Sequence, residues 1–224
     1  MKEQTDSPPP VTAPAGVPMT APVSDPAGAA GTVTIHLVRH GQTDWNVAGR
    51  LQGWTDVPLN QTGVQQARAA ASALAKRPVT KVISSDLNRA RHTASLIAER
   101  VGVEVTVSQT LRERSFGDAE GMLEDELDRH MQGRLAERWD DPDFKFQDGE
   151  SRREVGVRLG GFFEVLLAGP PSGEIVLVSH GGTLKVARAM LEHIPLERLR
   201  DWRFGNGEVV SVTVDPRLPF SSEL

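Results

Sequence analysis

From residue 33 onward the hydrophobic positions alternate between short dense runs and runs with helical spacing. Val33–Val38 is a β-rich run that ends at Arg39-His40-Gly41. Thr62-Gly63-Val64-Gln65 has the spacing of a capping box, and Val64, Ala67, Ala71 and Leu74 follow at helical intervals. Lys81–Ser84 reads as a second strand. Leu87, Ala90, Ala94, Ile97 and Val101 form the next helical stripe, closed by Gly102 as its C′ residue. Val103–Val107 is strand-like. Ser151-Arg152-Arg153-Glu154 is another capping box, continued by Val155, Leu159, Phe162, Phe163 and Leu166. Glu174–Ser179 reads as a strand, Thr183–Leu191 as a helix, and Glu208–Val214 as a last strand at the sheet edge.

This order of strands and helices predicts an α/β fold, a three-layer αβα sandwich around a central, mostly parallel sheet. The stretch 121–149 interrupts the rhythm. It contains a polar helix-like piece, Glu124–Trp139, and then Asp140-Asp141-Pro142-Asp143, and reads as a small cap inserted over the sheet. Residues 1–32 differ in kind. Pro8, Pro9, Pro10, Pro14, Pro18, Pro22 and Pro26 are separated by small and polar residues with no aromatic among them. Such a segment buries too little apolar surface to offset its ordering entropy, so a disordered Pro/Ala-rich tail is expected. A signal peptide would need a basic start and an apolar core, and neither is there. The domain is expected to span 33–224.

Composition narrows the chemistry. The 224 residues contain no cysteine, which removes thiol nucleophiles, disulfides and Cys-ligated metals and fits a reducing cytoplasm. No apolar run is long enough for a membrane span. The net charge of −5 gives no bulk attraction to nucleic acid or anionic lipid, so phosphate binding would need a local cluster of cations.

Two strands end in the same way, in Arg39-His40-Gly41 and in His180-Gly181-Gly182. In an open α/β sheet, ligands bind outside the carboxyl ends of the strands. Both histidines therefore project into one crevice if their strands are neighbours. The glycines permit close backbone approach, and a helix N-terminus after His180 favours an anion. Arg39 and Arg89 add two guanidiniums near the same edge, whose forked donors suit phosphate oxygens. Taken singly, each of these residues is more often structural or solvated. Taken together, the structural reading needs several coincidences at sheet ends. His36, His92, His130 and His193 are read as structural, Trp45 and Trp54 as packing, and Met122 as no evidence of a substrate site. The histidines lack metal-ligand spacing such as H-E-x-x-H, so no metal and no cofactor are expected.

The string Leu37-Val38-Arg39-His40-Gly41-Gln42-Thr43-Asp44-Trp45-Asn46 resembles the signature of the histidine phosphatase superfamily, the phosphoglycerate-mutase-like enzymes. The resemblance extends through Gln52-Gly53-Trp54-Thr55-Asp56-Val57-Pro58-Leu59-Asn60 and Ser84-Ser85-Asp86-Leu87-Asn88-Arg89-Ala90. It continues in Leu111-Arg112-Glu113, Phe116-Gly117, Glu120-Gly121, Gly149-Glu150-Ser151 and Val178-Ser179-His180-Gly181-Gly182. It departs from the pattern at Ala119, where many phosphatase members carry Trp. The resemblance implies His40 as the nucleophile that becomes phosphohistidine. It implies Arg39, Arg89 and His180 as holders of the phosphoryl oxygens, Asn46 as a further polar contact, and Glu113 as the general acid. Such chemistry is sound in itself, since imidazole attacks phosphorus near neutral pH and an alkoxide needs a proton to leave.

The expected activity is a metal-independent phosphomonoesterase acting on a small phosphorylated metabolite. A phosphoglycerate-mutase-type phosphotransferase is the alternative, and a catalytically inactive binding relative is a third. Glu113-Arg114-Ser115-Phe116-Gly117 and the compact segment before His180 resemble the phosphatase branch more than the mutases. The motif residues are all present, which argues against an inactive relative.

Overall fold

The computed structural model describes residues 31–133, 141–169 and 173–217. Residues 1–30 of the expected tail and residues 134–139 of the expected polar helix lie outside them. The apolar runs become β1 (Val33–Arg39), β2 (Val79–Ser84), β3 (Val105–Val107), β4 (Glu174–Ser179) and β5 (Val209–Val214). They form one sheet in the order β3-β2-β4-β1-β5. β1 to β4 run parallel, and β5 closes one edge antiparallel to β1. The expected mostly parallel sheet, with its last strand at the edge, is the one observed.

Helices cover both faces, which is why β1 and β4 are buried almost throughout and not at alternate positions only. Ile35, Leu37, Ile175 and Leu177 pack with Leu159 and Phe163 of α5 (Arg152–Leu167) and Leu184 and Met190 of α6 (Gly181–Glu192). Val38, Val82, Val176 and Val178 turn to the other face. There they meet Ala71 and Leu74 of α2 (Gln61–Leu74) and Ala94 and Ile97 of α3 (Asn88–Val101). Two short helices, α1 (Asp44–Ala48) and α4 (Glu124–His130), lie outside these layers. In the cap, Ala119, Leu127 and Phe146 form a separate small core. Ala119 is fully buried there, at the position where the resemblance leads one to expect Trp.

Several boundaries differ from the sequence reading; β2, for one, begins at Val79 and not at Lys81, and α4 ends at His130. α2 is capped by Asn60, whose side chain accepts from Gly63 N, and not by Thr62; the Asn60 amide is itself tied to Gln42 O. β3 starts at Val105 because the amides of Gly102 and Val103 turn back to Ala98 O and end α3 in a left-handed cap. α6 begins directly after His180, two residues earlier than its apolar stripe suggested. The Ser151–Glu154 capping box is formed as read.

His36 is buried on β1, as expected for a structural residue. Its Nε2–H donates to Glu174 Oε2 at 2.6 Å, and its Nδ1 lies 2.8 Å from Ser211 Oγ. Arg77 grips the same carboxylate through Nε and Nη2 at 2.8 and 2.5 Å. Burial by itself would raise the Glu174 carboxyl, but the hydrogen bonds from Arg77 and His36 outweigh it and hold it below the usual glutamate value. A depressed carboxylate adds stability above the unfolded value of about 4.3 and loses it as pH falls through the lower folded value. Glu174→Gln is therefore expected to cost about 1 to 3 kcal/mol at pH 7. The gap to wild type should shrink below about pH 4. Urea titrations at both pH values test this; a gap that does not change with pH would contradict it.

Candidate active site

Arg39 of β1 pairs with Ser179 of β4, so the next residue on each strand, His40 and His180, leaves the sheet beside the other. Their ring centroids are 5.1 Å apart, and both side chains are buried. The turn after His40 cannot take a side chain. A Cβ on Gly41 would lie 2.2 Å from the carbonyl oxygen of Gly63, and one on Gly63 would lie 2.1 Å from that of Gln42. Thr93 completes the clamp by accepting from Gly41 N and donating to Arg89 O.

The His40 ring has a defined protonation. Nδ1 lies 2.7 Å from Gly41 O, and a carbonyl can only accept, so Nδ1 carries the proton. Burial first, then Arg89 and Arg39, hold the His40 pKa well below its ordinary value, while the Gly41 bond acts the other way. The ring is neutral, and Nε2 has its lone pair available. That is the form a nucleophilic imidazole requires.

Cations surround it. Arg89 is completely buried, with Nη1 donating to Thr55 O at 2.8 Å, Nη2 to Gly53 O at 2.7 Å and Nε to His180 Nδ1 at 3.2 Å. Burial lowers its pKa to about 10, opposed by Glu113, Asp56 and Glu120, so it stays charged at neutral pH. As Nδ1 of His180 accepts from Arg89, its Nε2 carries the proton and donates to Ser85 Oγ at 2.9 Å. Arg39 spends Nη1 on Phe204 O, whereas its buried Nε has no hydrogen-bond partner and lies close to Gly181 at the start of α6. An unsatisfied guanidinium donor beside a helix N-terminus is suited to an anion.

Glu113 lies across that N-terminus. Its Oε2 accepts from Gly182 N, and its Oε1 from Thr183 N, each at 3.0 Å, with a further bond from Arg114 N. The segment that carries it is anchored on three sides. Arg112 holds Asp86 in a two-point ion pair, Arg158 donates to the carbonyls of Arg112 and Glu113, and the Trp54 indole donates to Glu113 O at 2.8 Å.

Arg39, His40, Asn46, Arg89 and Glu113 line one cavity of about 350 Å³, with His180 buried beside His40. The histidine phosphatase superfamily (branch 1) pattern matches residues 35–222 of this sequence.

The chain belongs to the histidine phosphatase superfamily.

It is 39% identical to the glucosyl-3-phosphoglycerate phosphatase of Mycobacterium tuberculosis over 169 residues, 71% of this chain and 75% of the relative. It is 38% identical over 173 residues to a Serratia proteamaculans protein named "Probable phosphoglycerate mutase", 77% of this chain and 80% of that one. A solved structure of a mycobacterial glucosyl-3-phosphoglycerate phosphatase with VO3 superposes with a TM-score of 0.74 at 34% identity, covering 81% of this chain and 90% of that one. This is therefore an enzyme of the histidine phosphatase type, with relatives named as hydrolases and as mutases.

All six residues expected at the site of this histidine phosphatase come together. Trp54 packs at the rim: it is 42% exposed and stacked under Arg112 at 4.9 Å, and beyond packing its indole supports Glu113. Trp45 packs against Gly121. Asn46 is a cap residue as well as a pocket residue: its Oδ1 accepts from Thr43 and from Asn206 Nδ2. Asn206, which also donates to His40 O, was not found from the sequence, because nothing near residue 206 marks it. Arg50, Arg114, Arg152, Lys185 and Arg203 also line the cavity and were missed as site residues. For Lys185 a signal existed, since it follows Gly181 by one helical turn on the same face of α6.

The neutral histidines of this phosphatase make a pH prediction. The unfolded chain takes up imidazole protons near pH 6.5, whereas folded His40 and His180 refuse them until a lower pH. More protons on the unfolded state mean that stability falls as pH drops below about 6.5. Ring signals of both histidines followed by NMR should stay in the neutral form from pH 8 to about 6. A midpoint near 6.5 for His40 would contradict the burial argument.

Proposed function

We propose that this chain is a phosphomonoesterase that hydrolyses a small phosphorylated metabolite through a phosphohistidine on His40, without a metal. The observation that carries this reading is the His40 Nδ1–H bond to Gly41 O, which leaves Nε2 as a lone pair between two guanidiniums. Nε2 attacks the phosphorus and the ester P–O bond breaks. Arg39, Arg89 and Asn46 hold the phosphoryl oxygens, and His180 joins them by turning its Nε2–H from Ser85 to the ligand. Charge spreads over those oxygens in the transition state, so preorganised cations and the α6 N-terminus supply most of the stabilisation.

Glu113 gives its proton to the departing alkoxide. It then takes a proton from the water that attacks phosphorus, breaks the N–P bond and releases inorganic phosphate. The bound phosphoryl group competes with the Glu113 carboxylate for the α6 amides. Hydrolysis is preferred over transfer back to a sugar acid because the string after Glu113 and the compact cap resemble the phosphatase branch. The absence of cysteine supports work in a reducing cytoplasm. Among the described residues no helix is long and apolar enough to cross a membrane.

Two experiments test this. Enzyme quenched during turnover of radiolabelled substrate should keep label after a base quench and lose it in acid, as a phosphoramidate does, and His40→Ala should keep none. Label on serine or threonine would overturn the mechanism. Glu113→Gln should lower kcat/KM for an alkyl phosphate by about 10² to 10⁴-fold. It should lower the value for an aryl phosphate much less, because a phenolate leaves without help. Equal losses on both esters would make Glu113 a support of the pocket instead of the proton donor.

A further inference from the structure

The chain enters β5 through Phe204-Gly205-Asn206-Gly207-Glu208, and this segment is fastened to the end of β1. Arg39 Nη1 donates to Phe204 O at 2.6 Å, Arg39 N to Glu208 O at 3.2 Å, and Gly207 N to Arg39 O at 3.0 Å. Glu208 N closes the turn on Gly205 O. Gly207 has a φ of +74°, and a Cβ there would lie 2.7 Å from Gln66 Cβ of α2, so the turn is wedged between β1 and α2. From this fixed base Asn206 extends its amide into the site. Its Nδ2 donates to His40 O at 3.1 Å and to Asn46 Oδ1 at 3.2 Å. A backbone carbonyl can only accept, so the Asn206 amide has one orientation.

We propose that Asn206 is a positioning residue for phosphoryl transfer, which turns the Asn46 amide so that its Nδ2 presents N–H groups to the phosphoryl oxygens. This rests on the phosphatase reading above. Two donors, Thr43 N at 3.1 Å and Asn206 Nδ2, converge on one end of the Asn46 amide. Only the oxygen can lie between two donors, so the other end is the NH2 group. That group donates to no described residue, and Asn46 lines the cavity.

The two donors do different things. The Thr43 bond belongs to the cap of α1 and fixes where the oxygen lies, but a single bond leaves the amide plane free to turn about it. The bond from Asn206 arrives from a distant part of the chain and fixes the plane. A turned amide would set its oxygen against the phosphoryl oxygens, replacing a donor contact with a repulsion between acceptors. Donors aimed at developing charge are effective only when held in place beforehand. The His40 carbonyl does not depend on Asn206 alone, because Gly207 N also reaches it at 3.3 Å. The distinctive task of Asn206 is the Asn46 amide.

The test is a double-mutant cycle on the full chain, with p-nitrophenyl phosphate as substrate and vanadate as inhibitor. Asn206→Leu keeps the side-chain volume and removes the donors, and Asn46→Ala removes the amide that they orient. Each should lower kcat/KM by about tenfold or more and weaken vanadate by a similar factor. The double variant should lose no more than Asn46→Ala alone, because Asn206 acts through Asn46. In 15N-labelled wild type the Asn46 side-chain NH2 signals should shift when inorganic phosphate is added, and in Asn206→Leu they should stay in place. Asn206→Ala repeats the cycle if leucine does not fit. Losses that multiply in the double variant, or an Asn206→Leu enzyme equal to wild type, overturn the proposal. So does loss of the thermal transition in both Asn206 variants, which would make the residue a support of the fold. If the wild type forms no phosphohistidine, the phosphatase reading falls, and the NH2 shift with phosphate still decides the orientation of Asn46.

Discussion

Arg89 buries its entire side chain, and a guanidinium in a dry interior is tolerable only when its donors find acceptors. Much of the site follows from that requirement. The acceptors are Gly53 O, Thr55 O and the Nδ1 of His180. The first two belong to a loop that Glu120 holds by accepting from Trp54 N, Thr55 N and Thr55 Oγ1. The third determines the His180 tautomer, which Ser85 then reads from the other side. One buried charge on the cavity wall thus also organises a loop, a histidine and the end of β2.

The same economy holds on the opposite wall. The N-terminus of α6 is an anion site by its geometry, and Glu113 occupies it. Gly182 is what permits the approach, since a Cβ there would stand 2.5 Å from Glu113 Oε1. The carboxylate is therefore held at the helix N-terminus beside the cavity. Its backbone is braced by Arg158, Trp54 and the Arg112–Asp86 pair, so its place is set by the scaffold and not by the ligand.

The cavity is assembled from different parts of the fold. The strand ends supply His40, Arg39 and His180, held by the pairing of β1 with β4. The surrounding wall comes from the cap residues Phe116 and Phe146, from the first turn of α5, and from Phe204 beyond α6. These are segments in which length and side chains can vary without disturbing the sheet. The buried Ala119 in place of a larger aromatic is one such variation, packed here by Leu127 and Phe146. Membership of one superfamily thus leaves the alcohol portion of the substrate to be read from this wall.

The sheet and the residues that meet at the cavity were legible in the sequence because their signals are local. Dense apolar runs ending in Arg39-His40-Gly41 and in His180-Gly181-Gly182 announce strand ends, and strand ends in such sheets face ligands. The helices were legible to within a few residues, and the misplaced cap of α2 came from two eligible capping residues separated by a contact to Gln42 that no local pattern contains. The further cations of the cavity wall were not legible. Arg152 reads as part of a capping box and Lys185 as one polar position on a helix. Their convergence depends on the strand order β3-β2-β4-β1-β5, which brings α5 and α6 together beside β1. The protonation of His40 and the role of Trp54 belong to the same category. The sequence by itself determined which residues could do the chemistry; burial, register and distant packing decided which atom of each faces the substrate, because those depend on contacts between residues far apart in the chain.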